Sequence, residues 1–180
     1  ERIYMVWPTP GYFQAGDAEL DLASRILSQG KNSRLYKSLV YERQIASDVS
    51  AFNYSLEIAG LFGVVATARP GESPEELKRS IREEIGRFAV EGPSEEELLR
   101  EQAKQEYEFI SGLERIGGFG GKSDLLNQYN TFLGSPNYFE ADYARYQGVS
   151  ADTIRQAVGQ YLDTGQRLVV TFVPEYSKRP

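Results

Sequence analysis

The spacing of hydrophobic positions along the chain changes between a period of two and a period of three to four. Alternation with a period of two predicts β-strands at residues 3–7, 46–56, 60–69 and 168–173. The second and third of these strands are separated by only three residues, which predicts an antiparallel hairpin. A sheet with at least one hairpin is therefore expected.

The remaining segments repeat apolar residues every three to four positions, as amphipathic helices do. A further helix is predicted after Gly121. The other predicted helices have start signals at Gly16-Asp17, Asn32 or Ser33, Ser73-Pro74, Ser94, Asn137 and Ser150. Ser73 and Ser94 precede acidic residues in the pattern of a capping box, in which a serine and a glutamate side chain bond each other's backbone N–H groups.

The predicted elements follow the order strand, two helices, strand pair, long helical block and final strand. This order indicates an α+β fold with a mostly antiparallel sheet and helices packed on one face. Residues 1–180 contain no internal repeat or linker, so we expect a single domain. Because the chain starts at Glu1 inside an apolar run, without an initiator Met or a signal-peptide pattern, we expect a fragment of a longer protein.

Composition excludes several classes of function within this chain. It contains no His and no Cys, which excludes a Ser-His-Asp triad, a Cys-His dyad, disulfides and zinc sites built from these ligands. The formal net charge is −6, whereas a protein that binds duplex nucleic acid presents a basic face, so we expect no nucleic-acid partner. No apolar run approaches the roughly 20 residues of a membrane-spanning helix, so we expect no membrane span.

Several local patterns suggest chemistry, but none identifies a catalytic residue. Residues 117–123 combine four glycines with a Lys-Ser pair, yet a helix precedes them and the glycine spacing differs from that of a phosphate-binding loop, which predicts a break between helices. The acids at 75–76 and 95–97 lie in first helical turns, where carboxylates interact favourably with the helix dipole. Ser33 and Lys37 are four residues apart, so a Ser–Lys nucleophile competes with ordinary solvated helix surface, which is the commoner arrangement.

The chain also carries twelve Tyr, and three of them, Tyr138, Tyr143 and Tyr146, cluster with Phe139 in one segment. Tyrosines in such a cluster either pack in a core or form a surface that faces a protein or peptide, because the ring offers a large contact area at a low entropy cost. Both interpretations remain open on the sequence.

The chain resembles the pitrilysin/insulinase family of zinc peptidases (family M16) along most of its length. The clearest segment is Gly-Lys-Asn-Ser-Arg-Leu-Tyr-Lys-Ser-Leu at 30–39, followed by Glu-Arg-Gln-Ile-Ala at 42–46, because the family has a G-x-x-S-R-L-[YF] run, a helix and a [KR]-[GQ]-[LI]-A turn here. The other matching segments follow in the family's order at 4–10, 66–71, 92–97, 117–122 and 126–130.

This resemblance implies the M16 metallopeptidase-like (LuxS/MPP-like) fold and a specific place in a peptidase. Family members are assembled from homologous α+β domains that clamp an unfolded peptide in a closed chamber. Their catalytic domain carries H-x-x-E-H, in which two His and a distal Glu bind zinc while the Glu of the motif activates water. Since this chain has no His, the resemblance implies a non-catalytic domain with no catalytic residue, metal ligand or cofactor, and zinc in the catalytic domain of the parent protein.

One departure from the family pattern narrows this assignment. The family's substrate-contacting non-catalytic domain supplies an Arg and a Tyr to the active site, but the aligned positions here are Val40 and Ser47. Neither side chain replaces the missing guanidinium or phenol. The resemblance therefore favours the second of four domains in a long single-chain member, with a subunit of a heteromeric member as the other interpretation.

The expected function is that of a non-catalytic domain that packs beside the catalytic M16 domain and forms a wall of the chamber in which peptide substrates are degraded. Arg34, Tyr36 and Arg43 are the candidate interdomain contacts, and ordinary helix surface or an internal salt bridge is the competing interpretation for them. The resemblance also implies a periplasmic or cell-envelope location. The alternative function is a structural or scaffold subunit with the M16-like fold and no peptidase activity.

Overall fold

One antiparallel sheet of four strands forms the base of the fold in the computed structural model, which describes residues 1–162 and 165–175. The strands are β1 (Arg2–Thr9), β2 (Ala46–Ser55), β3 (Gly60–Ala68) and β4 (Leu168–Phe172). Their spatial order is β2-β3-β1-β4, and every neighbouring pair is antiparallel. The predicted strands and the hairpin are therefore confirmed within the described part of the chain.

The connections between the strands are helical. In chain order they are α1 (Asp17–Ser28), a π helix (Tyr36–Glu42), α2 (Pro74–Glu91), α3 (Glu95–Gly112), α4 (Lys122–Leu133), α5 (Phe139–Gln147) and α6 (Ala151–Tyr161). Serine side chains cap α2, α3 and α6, as predicted, because Ser73, Ser94 and Ser150 each accept a hydrogen bond from the backbone N–H three residues later. No helix among the described residues is long and apolar enough to cross a membrane.

Two of the predicted N-caps differ from the structure. Of Asn32 and Ser33, Ser33 directly precedes the helical residues 34 and 35, but its hydroxyl donates a 2.6 Å hydrogen bond to the Gly30 carbonyl instead of capping the helix, which continues as the π helix. Asn137 lies one residue too early, because α5 is preceded by Tyr138, which makes no side-chain cap bond. In addition, Ser73 caps α2, but the side chain of Glu76 forms an ion pair with Arg79 instead of completing a capping box.

The helices lie on one face of the sheet and bury its inward-pointing side chains. Ile3, Met5 and Trp7 alternate along β1 and are almost completely buried, and Phe62 and Val64 of β3 lie beside them. The helices contribute the other wall of the core through Leu20, Leu27, Leu39, Ile81, Phe88, Ile154 and Val158. Burial of one such side chain contributes about 1.5–3 kcal/mol, so the residues on this face of the sheet contribute substantially to the stability of the fold.

Candidate functional site

Arg34, the first of the predicted contact residues, binds the joint between α2 and α3. Its Nε and one terminal nitrogen donate hydrogen bonds of 2.8 and 2.6 Å to the two carboxylate oxygens of Glu97, and the same terminal nitrogen reaches the Gly92 carbonyl at 2.9 Å. The guanidinium also lies 4.6 Å from the centroid of the Phe88 ring. Arg34 thus makes an internal ion pair, and a role in interdomain contact remains a prediction.

Glu97 is held in this pair by two further bonds that the sequence predicts. Its carboxylate accepts the Ser94 N–H at 2.8 Å and its own N–H donates to the Ser94 hydroxyl at 3.2 Å, which completes the capping box of α3. Burial by itself would raise the pKa of the Glu97 carboxyl. The hydrogen bonds from Arg34 and Ser94 outweigh burial and hold that pKa below its usual value.

This lowered pKa makes the stability of the domain depend on pH. A carboxyl whose pKa is lower in the folded than in the unfolded state stabilises the fold above its unfolded pKa, near 4.5, and this contribution is lost as the pH falls through the folded pKa. We therefore expect the Glu97→Gln variant to be less stable than the wild type at neutral pH, and the difference to shrink in acid. Urea unfolding of both proteins between neutral pH and pH ~3 measures this.

The variant must be compared with the wild type at each pH because other carboxyls have raised pKa values, which change the free energy of unfolding with pH in the opposite direction. Burial raises the pKa of Asp21 against the opposing effect of Arg25, so the total pH dependence mixes several groups. A difference in the free energy of unfolding that stays constant with pH would contradict the assignment to Glu97.

Arg43 and Tyr36, the other two predicted contact residues, have different partners from Arg34. Arg43 donates hydrogen bonds of 2.7 Å to the Ser80 hydroxyl and 3.2 Å to Glu83, both on α2. Tyr36 is half-buried and packs against the core. The three predicted residues therefore anchor the π-helical segment to its neighbours at different points and do not converge on one ligand site.

The candidate catalytic patterns do not assemble into a reactive site. The Ser33 hydroxyl is buried and bonded to the Gly30 carbonyl, while the exposed Lys37 ammonium lies 3.9 Å from Glu42. Within residues 1–162 and 165–175 no group of three or more acidic side chains could hold a metal ion. Val40 is buried, and the Ser47 hydroxyl lies at the surface and donates a 3.3 Å hydrogen bond to the Thr67 carbonyl.

The glycine-rich segment is an ordered turn between α3 and α4, as predicted. Its ends are joined by a 2.8 Å bond from the Lys122 N–H to the Arg115 carbonyl, and Asp124 accepts the Gly120 N–H at 2.9 Å. A helix precedes it, so it lacks the strand that a phosphate-binding loop follows. Phe119, at the tip of this turn, is almost fully exposed.

A buried polar network around Arg145, which the sequence does not reveal, joins α5 to the start of α1. One terminal nitrogen of Arg145 lies 2.9 Å from Asp17, and its other nitrogens donate to Asp142 at 2.7 and 3.0 Å. Asp142 also accepts the Tyr129 hydroxyl at 2.8 Å. Burial, together with this hydrogen bond, raises the pKa of Tyr129 far above its usual value. The network is structural, because its carboxylates are saturated by these donors.

The three tyrosines of the cluster are half-buried and contact neighbouring residues of the fold. Tyr146 donates to Asp21 at 3.2 Å, Tyr143 donates to Glu106 at 2.6 Å, and Tyr138 packs edge-on against Phe13. The hydroxyl groups of Tyr143 and Tyr146 are therefore bonded within the fold.

The opposite face of the sheet carries a surface that the predicted site residues miss. We define this outer sheet face by Phe52 and Tyr54 of β2 and Leu168, Val170 and Phe172 of β4, all of them exposed. Tyr54, Leu168 and Phe172 are each about 60% exposed (57%, 63% and 60%). Between them lie the half-buried Tyr4 and Val6 of β1, and the Tyr4 and Phe172 rings contact edge-on at 5.4 Å.

Glycine at position 63 shapes the centre of this face. Gly63 is the cross-strand partner of Phe52, and a Cβ at this position would collide with the Phe52 ring. The ring therefore lies flat across β3. An apolar face of this kind, rimmed by polar residues, is typical of a protein interaction surface.

Comparison with known proteins identifies the family of this fold. Residues 1–105 match the family described as the Peptidase M16 inactive domain. The chain thus belongs to the M16 peptidase family, as an inactive domain, which confirms the family and the α+β fold expected from the sequence.

Individual relatives agree with this membership. The chain is 27% identical over 139 residues to the zinc protease PqqE of Helicobacter pylori, a match that covers 77% of the chain. Its fold matches the inactive peptidase domain of a Bordetella parapertussis protein with a TM-score of 0.84 at 22% identity, over 99% of the chain and 92% of that structure. A protease from Helicobacter pylori matches with a TM-score of 0.80 at 19% identity, over 93% of the chain and 39% of that structure.

The coverage of these matches separates two kinds of relative. The chain spans only 31% of the Helicobacter pylori zinc protease, but 92% of the Bordetella parapertussis inactive domain. The chain is therefore comparable in length to that single domain and spans about a third of the longer relative.

Proposed function

We propose that this chain is the non-catalytic domain of an M16-like zinc metallopeptidase and that its outer sheet face packs against the catalytic domain. The single observation that carries this proposal is an uncovered apolar sheet face on a domain that matches the inactive domain of M16 peptidases. In this proposal the partner supplies the chemistry and this domain supplies a surface.

The side chains of the sheet support the need for a partner. A sheet covered by helices on one face normally presents polar side chains on the other, but here Phe52, Tyr54, Leu168 and Phe172 remain in contact with water. Each Å² of apolar surface removed from water contributes about 25 cal/mol. Covering this face would therefore stabilise a complex substantially, and the longer Helicobacter pylori relative, of which the match covers 31%, is a zinc protease.

The division of chemistry follows from the residues on each side. The catalytic domain would hold zinc and activate water, whereas this domain, without His or Cys, would complete the wall of a chamber for peptide substrates. Its role would be to support the catalytic domain and to restrict which peptides reach the zinc. A periplasmic or cell-envelope location belongs to the same proposal, and cell fractionation tests it.

The direct experiment places charge on the outer sheet face of the full-length protein. We expect Phe52→Asp with Tyr54→Asp to reduce chelator-sensitive cleavage of a quenched fluorescent peptide by at least about tenfold, because an unpaired charge buried in an interface costs several kcal/mol. Zinc content, measured in parallel, should be retained, since the metal is held by the other domain. Val90→Asp, on the exposed surface of α2, serves as the matched control and should leave cleavage unchanged.

Two results would overturn the proposal. Unchanged cleavage in the double variant would show that the outer sheet face does not contact the catalytic domain. A full-length protein that holds no zinc and cleaves no peptide would instead favour the structural scaffold as the function.

A further inference from the structure

The two edges of the four-stranded sheet differ in how they are protected against a further strand. β2 lies at one edge and β4 at the other. An edge strand presents unpaired backbone N–H and C=O groups, which proteins normally protect with a charge, a bulge or a covering helix. An edge without these features can therefore accept an additional strand.

The β2 edge carries all three kinds of protection. The Ser28 hydroxyl of α1 accepts the Ala51 N–H at 2.7 Å and donates to the Ala51 carbonyl at 3.1 Å, so both backbone groups of Ala51 are satisfied. The exposed Asp48 adds a negative charge, and the register with β3 shifts between Ala46 and Asp48. β2 is therefore a poor partner for a further strand.

The β4 edge carries none of them. Its residues are Leu-Val-Val-Thr-Phe, without a charge, Gly or Pro, and they pair with β1 in an unbroken register. Val169 lies on the face of its buried partner Met5 and is nevertheless 38% exposed, so the helices do not extend over β4. Within residues 1–162 and 165–175, no residue outside the sheet forms a hydrogen bond with residues 168–172.

We propose that β4 pairs with β4 of a second copy of this chain, antiparallel and across a two-fold axis, so that two four-stranded sheets join edge to edge. The strand fits itself. Pairing centred on Val170 is the arrangement that pairs all five residues of β4, and it sets Leu168 opposite Phe172 and Val169 opposite Thr171. β-branched and aromatic residues are favourable cross-strand partners.

Charge also favours β4 as the place where two copies meet. Each copy carries a formal net charge of −6, so two copies repel each other unless the surfaces in contact are uncharged or complementary. β4 contributes no ionisable side chain, whereas the β2 edge would bring two copies of Asp48 into one interface. This inference does not rest on the proposed function, because a strand added at the edge lies in the plane of the sheet and leaves the outer sheet face uncovered.

Sedimentation velocity of the 180-residue chain, whose helices and sheet enclose a continuous core, measures this association. We expect a monomer–dimer equilibrium that shifts toward the dimer as the protein concentration rises. Val170→Lys should raise the dissociation constant at least about tenfold, because it places two ammonium groups opposite each other at the two-fold axis. Tyr54→Lys, on the same face but on β2, is the matched control and should associate like the wild type.

Single cysteines locate the axis even if the lysine variant does not fold, since the chain contains no Cys. Residues directly opposite each other on antiparallel strands have Cβ atoms about 4.5–5.5 Å apart, which a small adjustment brings within reach of a disulfide. We therefore expect mild oxidation to cross-link Val170→Cys into a covalent dimer. Tyr54→Cys, treated in the same way, should remain monomeric.

Three results would overturn the proposal. A chain that sediments as a monomer at every concentration does not pair through β4. Equal effects of the Val170 and Tyr54 substitutions would show that the copies associate through the outer sheet face instead. A chain that ends at Glu175 and dimerises, when the whole chain does not, would assign the β4 edge to residues 176–180.

Discussion

Replacing Arg145 by methionine is expected to lower the free energy of unfolding by about 3–5 kcal/mol, the usual cost of breaking a buried ion pair from one side. The loss leaves the carboxylates of Asp17 and Asp142 buried, at 6% and 8% side-chain exposure, without their cation. It also removes the guanidinium from the Phe13 ring, whose centroid is 4.9 Å away. Urea unfolding followed by circular dichroism measures the difference.

Arg155 provides a matched control for this substitution. It forms the same i,i+3 pair with an aspartate, Asp152, but at the surface, where such pairs contribute roughly 0–1 kcal/mol. Arg155→Met should therefore have little effect. If Arg145→Met does not fold, Arg145→Lys keeps one charge and should show an intermediate loss. A loss in Arg145→Met no larger than that in Arg155→Met would contradict the structural role of the network.

Replacing Arg34 by methionine is expected to cost about 2–4 kcal/mol, somewhat less, because its ion pair is not fully enclosed. The substitution leaves one oxygen of Glu97 and the Gly92 carbonyl without the Arg34 donor and the other oxygen with only the Ser94 N–H, while the methionine still covers part of the Phe88 ring. The joint between α2 and α3 should loosen first. Hydrogen exchange at the amides of residues 91–98, together with urea unfolding, measures both effects.

Arg43→Met separates the structural role from the predicted interdomain role. The pair of Arg43 with Glu83 is more than a third exposed on both sides, so the isolated domain should lose no more than about 1 kcal/mol. If Arg43 also contacts a neighbouring domain, turnover by the full-length protein should fall without a matching loss of domain stability. Unchanged stability and unchanged turnover in both the Arg34 and the Arg43 variants would contradict an interdomain role.

The elements of this fold could be predicted because their signals are local. The period of two in residues 46–56 and the serine caps at Ser94 and Ser150 depend on neighbours within a few positions. The N-cap predicted at Asn137 is wrong because the property that suggested it, a short polar side chain, does not distinguish a helix start from a loop. A short polar side chain favours both a helix start and a loop, and the Ser135 hydroxyl accepts the Asn137 N–H within the loop.

The candidate surfaces were harder to predict because they depend on partners far away in the chain. No residue near Asp17 in the sequence indicates that its carboxylate forms an ion pair with Arg145. The outer sheet face did leave a signal, since Tyr4 and Val6 of β1 are apolar as well as Ile3 and Met5. A strand that is apolar on both faces indicates that both faces are covered. Helices cover only one of them, and recognising the other as exposed required the position of every helix.

The place of β1 inside the sheet also constrains how the chain acquires its structure during synthesis. β1 is translated before the other three strands of the described sheet, but one of its neighbours is β4, with Arg2 opposite Phe172. The Asp17 carboxylate likewise pairs with Arg145, which is 128 positions later in the chain. Contacts that close such long loops form late, because the entropy of closure must be overcome before they contribute. The sheet is therefore completed only after β4 has been translated, and until then β1 has an unpaired edge, a feature that makes folding intermediates prone to aggregate.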